Sequence, residues 1–138
     1  MPCREDILIA KLLIVDDEKG ITDSLRDFFE QRGFGVRTAG NGKEALEAVG
    51  SERPDIVFLD VQMNGINGID VLDKIKKMDK TITVIMLTVH DEKELIDTAK
   101  RLGAEEYILK PFRVGQLEDI VMKKMRKLLP GRGMKNGG

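Results

Sequence analysis

The chain has one cysteine, Cys3, one histidine, His90, one tyrosine, Tyr107, and no tryptophan. A single cysteine excludes an internal disulfide framework and fits a reducing compartment, so a cytoplasmic location is expected. No apolar run approaches the ~18 residues of a membrane span, and no basic stretch leads into an apolar leader near the start. Charge of one sign is also lacking. Twenty-three bases stand against 24 acids, a net charge of -1. A nucleic-acid-binding domain is usually basic as a whole, so direct nucleic-acid binding is not expected. The local run of Lys123, Lys124, Arg126, Lys127 and Arg132 suits the end of a helix, where cations complement the dipole.

What remains is an ordinary globular composition. The 138 residues are 41% hydrophobic and 34% charged. That length is close to the commonest size of one domain. Short apolar runs lie at Lys11–Val15, Gly35–Ala39, Asp55–Leu59, Thr81–Leu87 and Glu105–Leu109. Several are rich in Ile, Val and Leu on both faces, as strands covered on both sides are. Between them lie five stretches of helical periodicity. The first carries Ile21, Leu25, Phe28 and Phe29 and stops at Gly33; the second runs from Gly42 to Gly50. The third carries Ile69, Val71, Leu72 and Ile75, and the fourth Leu95, Ile96, Ala99 and Leu102 before Gly103. The fifth runs through Leu117, Val121, Met125 and Leu128 to Pro130-Gly131. Strands alternating with helices predict parallel pairing and right-handed crossovers, hence a three-layer α/β/α sandwich, (βα)5, around a five-stranded parallel sheet. Asn41-Gly42, Asn64-Gly65 and Asn67-Gly68 are expected to punctuate loops. Residues 1–9 read as an extension, 10–129 as the domain, and the Gly-rich 130–138 as a tail or the start of a linker.

The strand ends carry the chemistry. The first ends in Asp16-Asp17, the third in Asp60, the fourth in Thr88 and the fifth in Lys110. In an open parallel sheet these ends share one edge, outside which ligands bind. Three neighbouring carboxylates repel one another, and a dication relieves that repulsion. Oxygen-only ligands favour Mg²⁺. A carboxylate can accept a phosphoryl group covalently, with a metal, an ammonium and a hydroxyl stabilising the transferred charge. An Asp at a strand end is also an ordinary cap for the next helix, so the signal lies in the combination of all four ends. "GNGKEAL", Gly40 to Leu46, is rejected as a P-loop, because Arg37 and Glu44 stand where that motif needs Gly and Ser or Thr. A flavodoxin shares this fold class, but Asp16-Asp17 would repel the phosphate its first loop must hold.

The segments "LLIVDDE", "PDIVFLDVQMNGINGID", "TVIMLT" and "LGAEEYILKPF" resemble the receiver domains of two-component response regulators, over about residues 10 to 129. The resemblance implies the flavodoxin-like strand order 2-1-3-4-5, of which a receiver is itself a known example. It implies that Asp60 accepts a phosphoryl group from a sensor histidine kinase or phosphotransfer protein. Asp17 and Asp60 would hold Mg²⁺ directly, Asp16 through water, and Gln62 through its backbone carbonyl. Thr88 and Lys110 would bond the phosphoryl oxygens. Tyr107 matches the family's rotating aromatic, and Lys110-Pro111 its cis peptide. The output surface would be the fourth helix, fifth strand and fifth helix, acting on a protein partner or a missing output domain, or pairing as a homodimer. Two positions depart from the pattern: Asn64 stands where Pro is frequent, and Val89 where Ala or Gly leaves room beside the phosphoryl group. Gln62 and His90 flank the expected path of hydrolytic water, although His90 reads chiefly as a solvated loop residue. The rival reading is a phosphatase with an aspartate nucleophile, of the haloacid-dehalogenase type. Its nucleophile ends the first strand in an Asp-x-Asp pattern, which Asp16-Asp17 does not match.

Overall fold

The computed structural model describes residues 10–63 and 66–128. Five parallel strands form one sheet: β1 (Lys11–Val15), β2 (Gly35–Ala39), β3 (Ile56–Leu59), β4 (Thr83–Thr88) and β5 (Glu106–Leu109), in the order 2-1-3-4-5. Five helices connect them: α1 (Lys19–Glu30), α2 (Gly42–Glu52), α3 (Gly68–Met78), α4 (Lys93–Arg101) and α5 (Val114–Leu128). A two-residue antiparallel ladder, Gln62–Met63 with Ile66–Asn67, bridges β3 and α3.

The sheet's two faces carry separate cores. Leu12, Ile14, Phe58, Ile85 and Ile108 face α1 and α5, where they meet Leu25, Phe29, Leu117 and Val121. Leu13, Val15, Val57, Leu59, Val84 and Met86 face the other three helices, against Ala45, Val49, Leu72, Ile75 and Ala99. Successive side chains of a strand point to opposite faces, so each central strand must be apolar throughout. All four residues of β3 and all six of β4 are buried. This is the doubly covered sheet expected from the apolar runs. No helix among the described residues is long and apolar enough to cross a membrane.

Several boundaries move from the sequence expectation. β3 starts at Ile56, because the Asp55 carboxylate turns back to accept the Lys11 N–H at 2.8 Å. β4 starts at Thr83 and includes Thr88, because Thr81 is held in a turn by Asp79, which accepts its N–H at 2.9 Å. β5 starts one residue late, at Glu106; the Glu105 side chain accepts the Val84 N–H at 2.8 Å. Asn41-Gly42 and Asn67-Gly68 are helix starts rather than loop turns. Asn41 Oδ1 accepts the Glu44 N–H and Asn67 Oδ1 the Ile69 N–H, satisfying donors that a first helical turn leaves free. Asn64-Gly65 and the expected stop at Pro130-Gly131 lie outside the described residues.

Candidate functional site

Parallel pairing places the C-terminal ends of all five strands on one edge. Val15 is level with Leu59 and Leu59 with Met86, so Asp16 and Asp60 emerge side by side from β1 and β3. The Asp60 N–H donates to Val15 O at 3.1 Å, and the Asp16 N–H to Ala39 O at 3.1 Å. Both acids are therefore fixed by ladder-like bonds one residue past their strands. Neither caps α1; its N-cap is Glu18, which makes no side-chain cap bond.

Asp16, Asp17 and Asp60 each offer one carboxylate oxygen within 4.8 Å of the others. Asp16 is only 3% exposed and Asp60 is buried, while Asp17 lies open to solvent. Lys110 reaches into the cluster from the end of β5. Its Nζ donates to Asp16 Oδ2 at 2.7 Å and to Asp60 Oδ2 at 3.2 Å, and it pairs with Glu18 Oε1 at 3.4 Å. With a side chain 9% exposed, it is an ammonium buried among acids. Burial opposes that charge, yet the Asp16 hydrogen bond and the fields of Asp16 and Asp60 lift the Lys110 pKa above its ordinary value. Burial also pushes the Asp16 carboxyl upward; the Lys110 bond and the Glu18 N–H pull against it, and the Asp60 charge adds to the rise. The site therefore holds three acids against one cation, and a hard dication suits the excess of oxygen ligands.

The second half of the site hangs on one loop residue. Thr88 is fully buried, and its Oγ1 accepts the His90 N–H at 3.2 Å. The His90 carbonyl accepts the Tyr107 hydroxyl at 2.7 Å. Tyr107 is half-buried and packs on the core face shared with Leu95 and Leu102. Burial raises its phenol pKa, and the charges of Glu92, Asp60 and Asp91 raise it further. The Lys110 N–H donates to Thr88 O at 2.8 Å, and the Lys110–Pro111 peptide is cis.

The structure thus brings Asp16, Asp17, Asp60 and Lys110 into one cluster and links Thr88 to Tyr107 beside it. Gln62 is exposed, and its N–H donates to Asp60 Oδ1 at 3.3 Å. Val89 is 66% exposed, so its bulk projects largely into solvent. His90 lies in the loop after β4, with its side chain 29% exposed and Nδ1 3.5 Å from Glu92. Two features were missed. Glu18 joins the Lys110 pairing, for which its adjacency to Asp16-Asp17 was the available signal. The His90 backbone bridges Thr88 and Tyr107, a contact no side-chain pattern encodes.

Comparison with known proteins agrees with this geometry. A family model described as the response regulator receiver domain matches residues 12–122. Sporulation initiation phosphotransferase F of Bacillus subtilis is 41% identical over 82% of this chain and 91% of its own length. The alkaline phosphatase synthesis transcriptional regulatory protein PhoP of B. subtilis is 33% identical over 91% of this chain, which spans only 54% of that regulator. Among solved structures, a CheY-like receiver domain protein from Methanospirillum hungatei superposes with a TM-score of 0.84, at 27% identity, over 86% of this chain and 95% of that one. With the five-stranded order and the strand-end acids in place, the chain belongs to the response regulator receiver domain family of two-component signalling.

Proposed function

We propose that the domain is a phosphorylation switch in which Asp60 accepts a phosphoryl group from a phosphohistidine of a sensor kinase or phosphotransfer protein. A carboxylate oxygen of Asp60 bonds to phosphorus as the phosphorus–nitrogen bond breaks, and the imidazole leaves with that electron pair. The single observation that carries this reading is the strand-end cluster: three carboxylates gathered within 4.8 Å, two of them bridged by Lys110. Asp17 and Asp60, with Asp16 and the Gln62 carbonyl, would hold Mg²⁺. The ion supplies charge neutralisation for the phosphoryl oxygens when bound. Lys110 already points an ammonium at Asp60 and stays charged there. Thr88 Oγ1 accepts the His90 N–H, and its O–H is the donor that would bond a phosphoryl oxygen.

The added negative charge then acts through Lys110 and Thr88. Because Thr88 and Tyr107 share His90, a turn of the Thr88 hydroxyl changes the seat of the tyrosine on the surface formed by α4, β5 and α5. That surface would engage a protein partner, a second copy, or an output domain. The name of one B. subtilis relative, a phosphotransferase, supports a relay role, whereas the transcriptional regulatory protein PhoP, of which this chain spans only 54%, supports an attached output module. A cytoplasmic location follows from either role.

Incubation with a small acyl phosphate and Mg²⁺ is expected to place one phosphoryl group per chain, and Asp60→Asn to abolish it. Undiminished labelling of Asp60→Asn would move the acceptor elsewhere, and sustained turnover of a phosphate ester would favour the phosphatase reading. Thr88→Ala is expected to take the label yet lose the accompanying change in tyrosine fluorescence, which only Tyr107 can report because it is the sole tyrosine and no tryptophan is present.

A further inference from the structure

Gly68, the first residue of α3, lies against the backbone of the acceptor. A Cβ built there would fall 1.9 Å from Asp60 O, 2.9 Å from Asp60 C and 2.9 Å from the Val61 Cα. All three are backbone atoms, so no flexible side chain can yield. The Gly68 N–H donates to Val61 O, locking the helix start onto the residue after the acceptor. On its other side the Asp60 N–H is tied to Val15 O. The acceptor's peptide is therefore clamped between β1 and α3, and its carboxylate is aimed by that clamp. Oδ1 receives the Gln62 N–H and Oδ2 receives Lys110. Other glycines are looser: at Gly20 and Gly115 a Cβ would meet nothing within 4 Å.

We infer that Gly68 is a positioning residue for phosphoryl acceptance: its missing side chain lets α3 begin in backbone contact with Asp60, and this contact aims the Asp60 carboxylate at Lys110 and the Gln62 amide. The inference rests on Asp60 being the acceptor. A methyl group at position 68 must gain about 1.5 Å to reach ordinary van der Waals separation. Displacing a reacting group by about 1 Å can cost about 100-fold in rate.

The test uses Gly68→Ala with Gly115→Ala as the open-space control, and the matched cap deletions Asn67→Ala on α3 and Asn41→Ala on α2. Each asparagine accepts one first-turn N–H, but only Asn67 adjoins the clamp. Labelling from a small acyl phosphate is read beside the Gln62 amide resonance, which reports the bond to Asp60 Oδ1 without any phosphodonor. Labelling about 100-fold slower in Gly68→Ala, with a shifted Gln62 amide and normal behaviour of Gly115→Ala, supports the inference. Should Gly68→Ala fail to fold, Asn67→Ala decides: slower labelling and a moved Gln62 amide relative to Asn41→Ala support it, and equal values overturn it. A folded Gly68→Ala with an unmoved Gln62 amide and the parent rate also overturns it. If the parent protein takes no label, the acceptor reading fails, while the Gln62 amide still decides whether Gly68 sets the carboxylate.

Discussion

Asp16 and Asp79 stand at opposite ends of the sheet, and their carboxyls are shifted in opposite directions. At the strand C-termini, burial drives Asp16 upward, and Lys110 only partly offsets it. At the other end, hydrogen bonds from the Thr81 hydroxyl and amide hold Asp79 below its ordinary value. The surrounding lysines differ in the same way. Lys110 is one cation among Asp16, Glu18 and Asp60. Lys76 is matched: its Nζ bonds Ile82 O at 2.5 Å and Glu105 Oε2 at 3.0 Å, and its stem packs against Gly103. One end of the sheet carries an excess of buried negative charge, and the other pairs Asp79 with Arg53 and Glu105 with Lys76. Excess charge held in place by the fold is stored repulsion, available to whichever cation or phosphoryl chemistry relieves it; matched charge contributes only stability.

The largest expected effect lies at the matched end. Lys76→Met removes the ammonium bonded to the Ile82 carbonyl and to the exposed Glu105, so urea denaturation is expected to show a loss of about 2 kcal/mol, that of a hydrogen bond to a charged group. Phosphoryl acceptance at the distant edge should be unchanged in the folded protein. A comparable fall in labelling rate would break the separation of the two ends.

Asp16→Asn sharpens the comparison in the reverse sense. The folded-state pKa of Asp16 lies above the unfolded value, so its contribution to stability is full below that unfolded value and is lost as pH rises through the folded one. Without metal, Asp16→Asn is therefore expected to be more stable than the parent at pH 7, because it removes one buried negative charge from an excess that Lys110 only partly offsets, with Mg²⁺ affinity weakened about tenfold. A metal-free variant less stable than the parent at pH 7 would show that Lys110 fully compensates the buried charge.

The smallest effect belongs to Thr81→Val. Asp79 has a lowered pKa, so its contribution is present above the unfolded value and lost as pH falls through the folded one. Removing the Thr81 hydroxyl should lower stability slightly at neutral pH and leave the acid end unchanged, so the acid limb of a stability–pH curve becomes shallower. A curve identical to the parent's would assign the shift to the Thr81 amide alone.

The layered fold was legible because β1, β3 and β4 are apolar on both faces, which only a doubly covered sheet requires. The strand-end acids and Lys110 were legible for the same reason, since each interrupts such a run. Strand starts were less so. Asp55, Thr81 and Glu105 sit at the ends of apolar runs, but each is drawn into a side-chain bond that sequence spacing does not display. Asn67-Gly68 reads as a turn pair in isolation; only the approach of α3 to Asp60 shows why an asparagine cap must be followed there by a residue with no side chain. Contacts between backbones far apart in the chain leave little trace in composition or period.

The His90 main chain donates its N–H to Thr88 and accepts the Tyr107 hydroxyl with its carbonyl. These two groups sit on successive peptide planes that meet at the His90 Cα, so the φ and ψ of one residue separate the buried hydroxyl from the ring near the outer face. Turning the chain about that Cα would disturb both grips, so His90 is the joint between them.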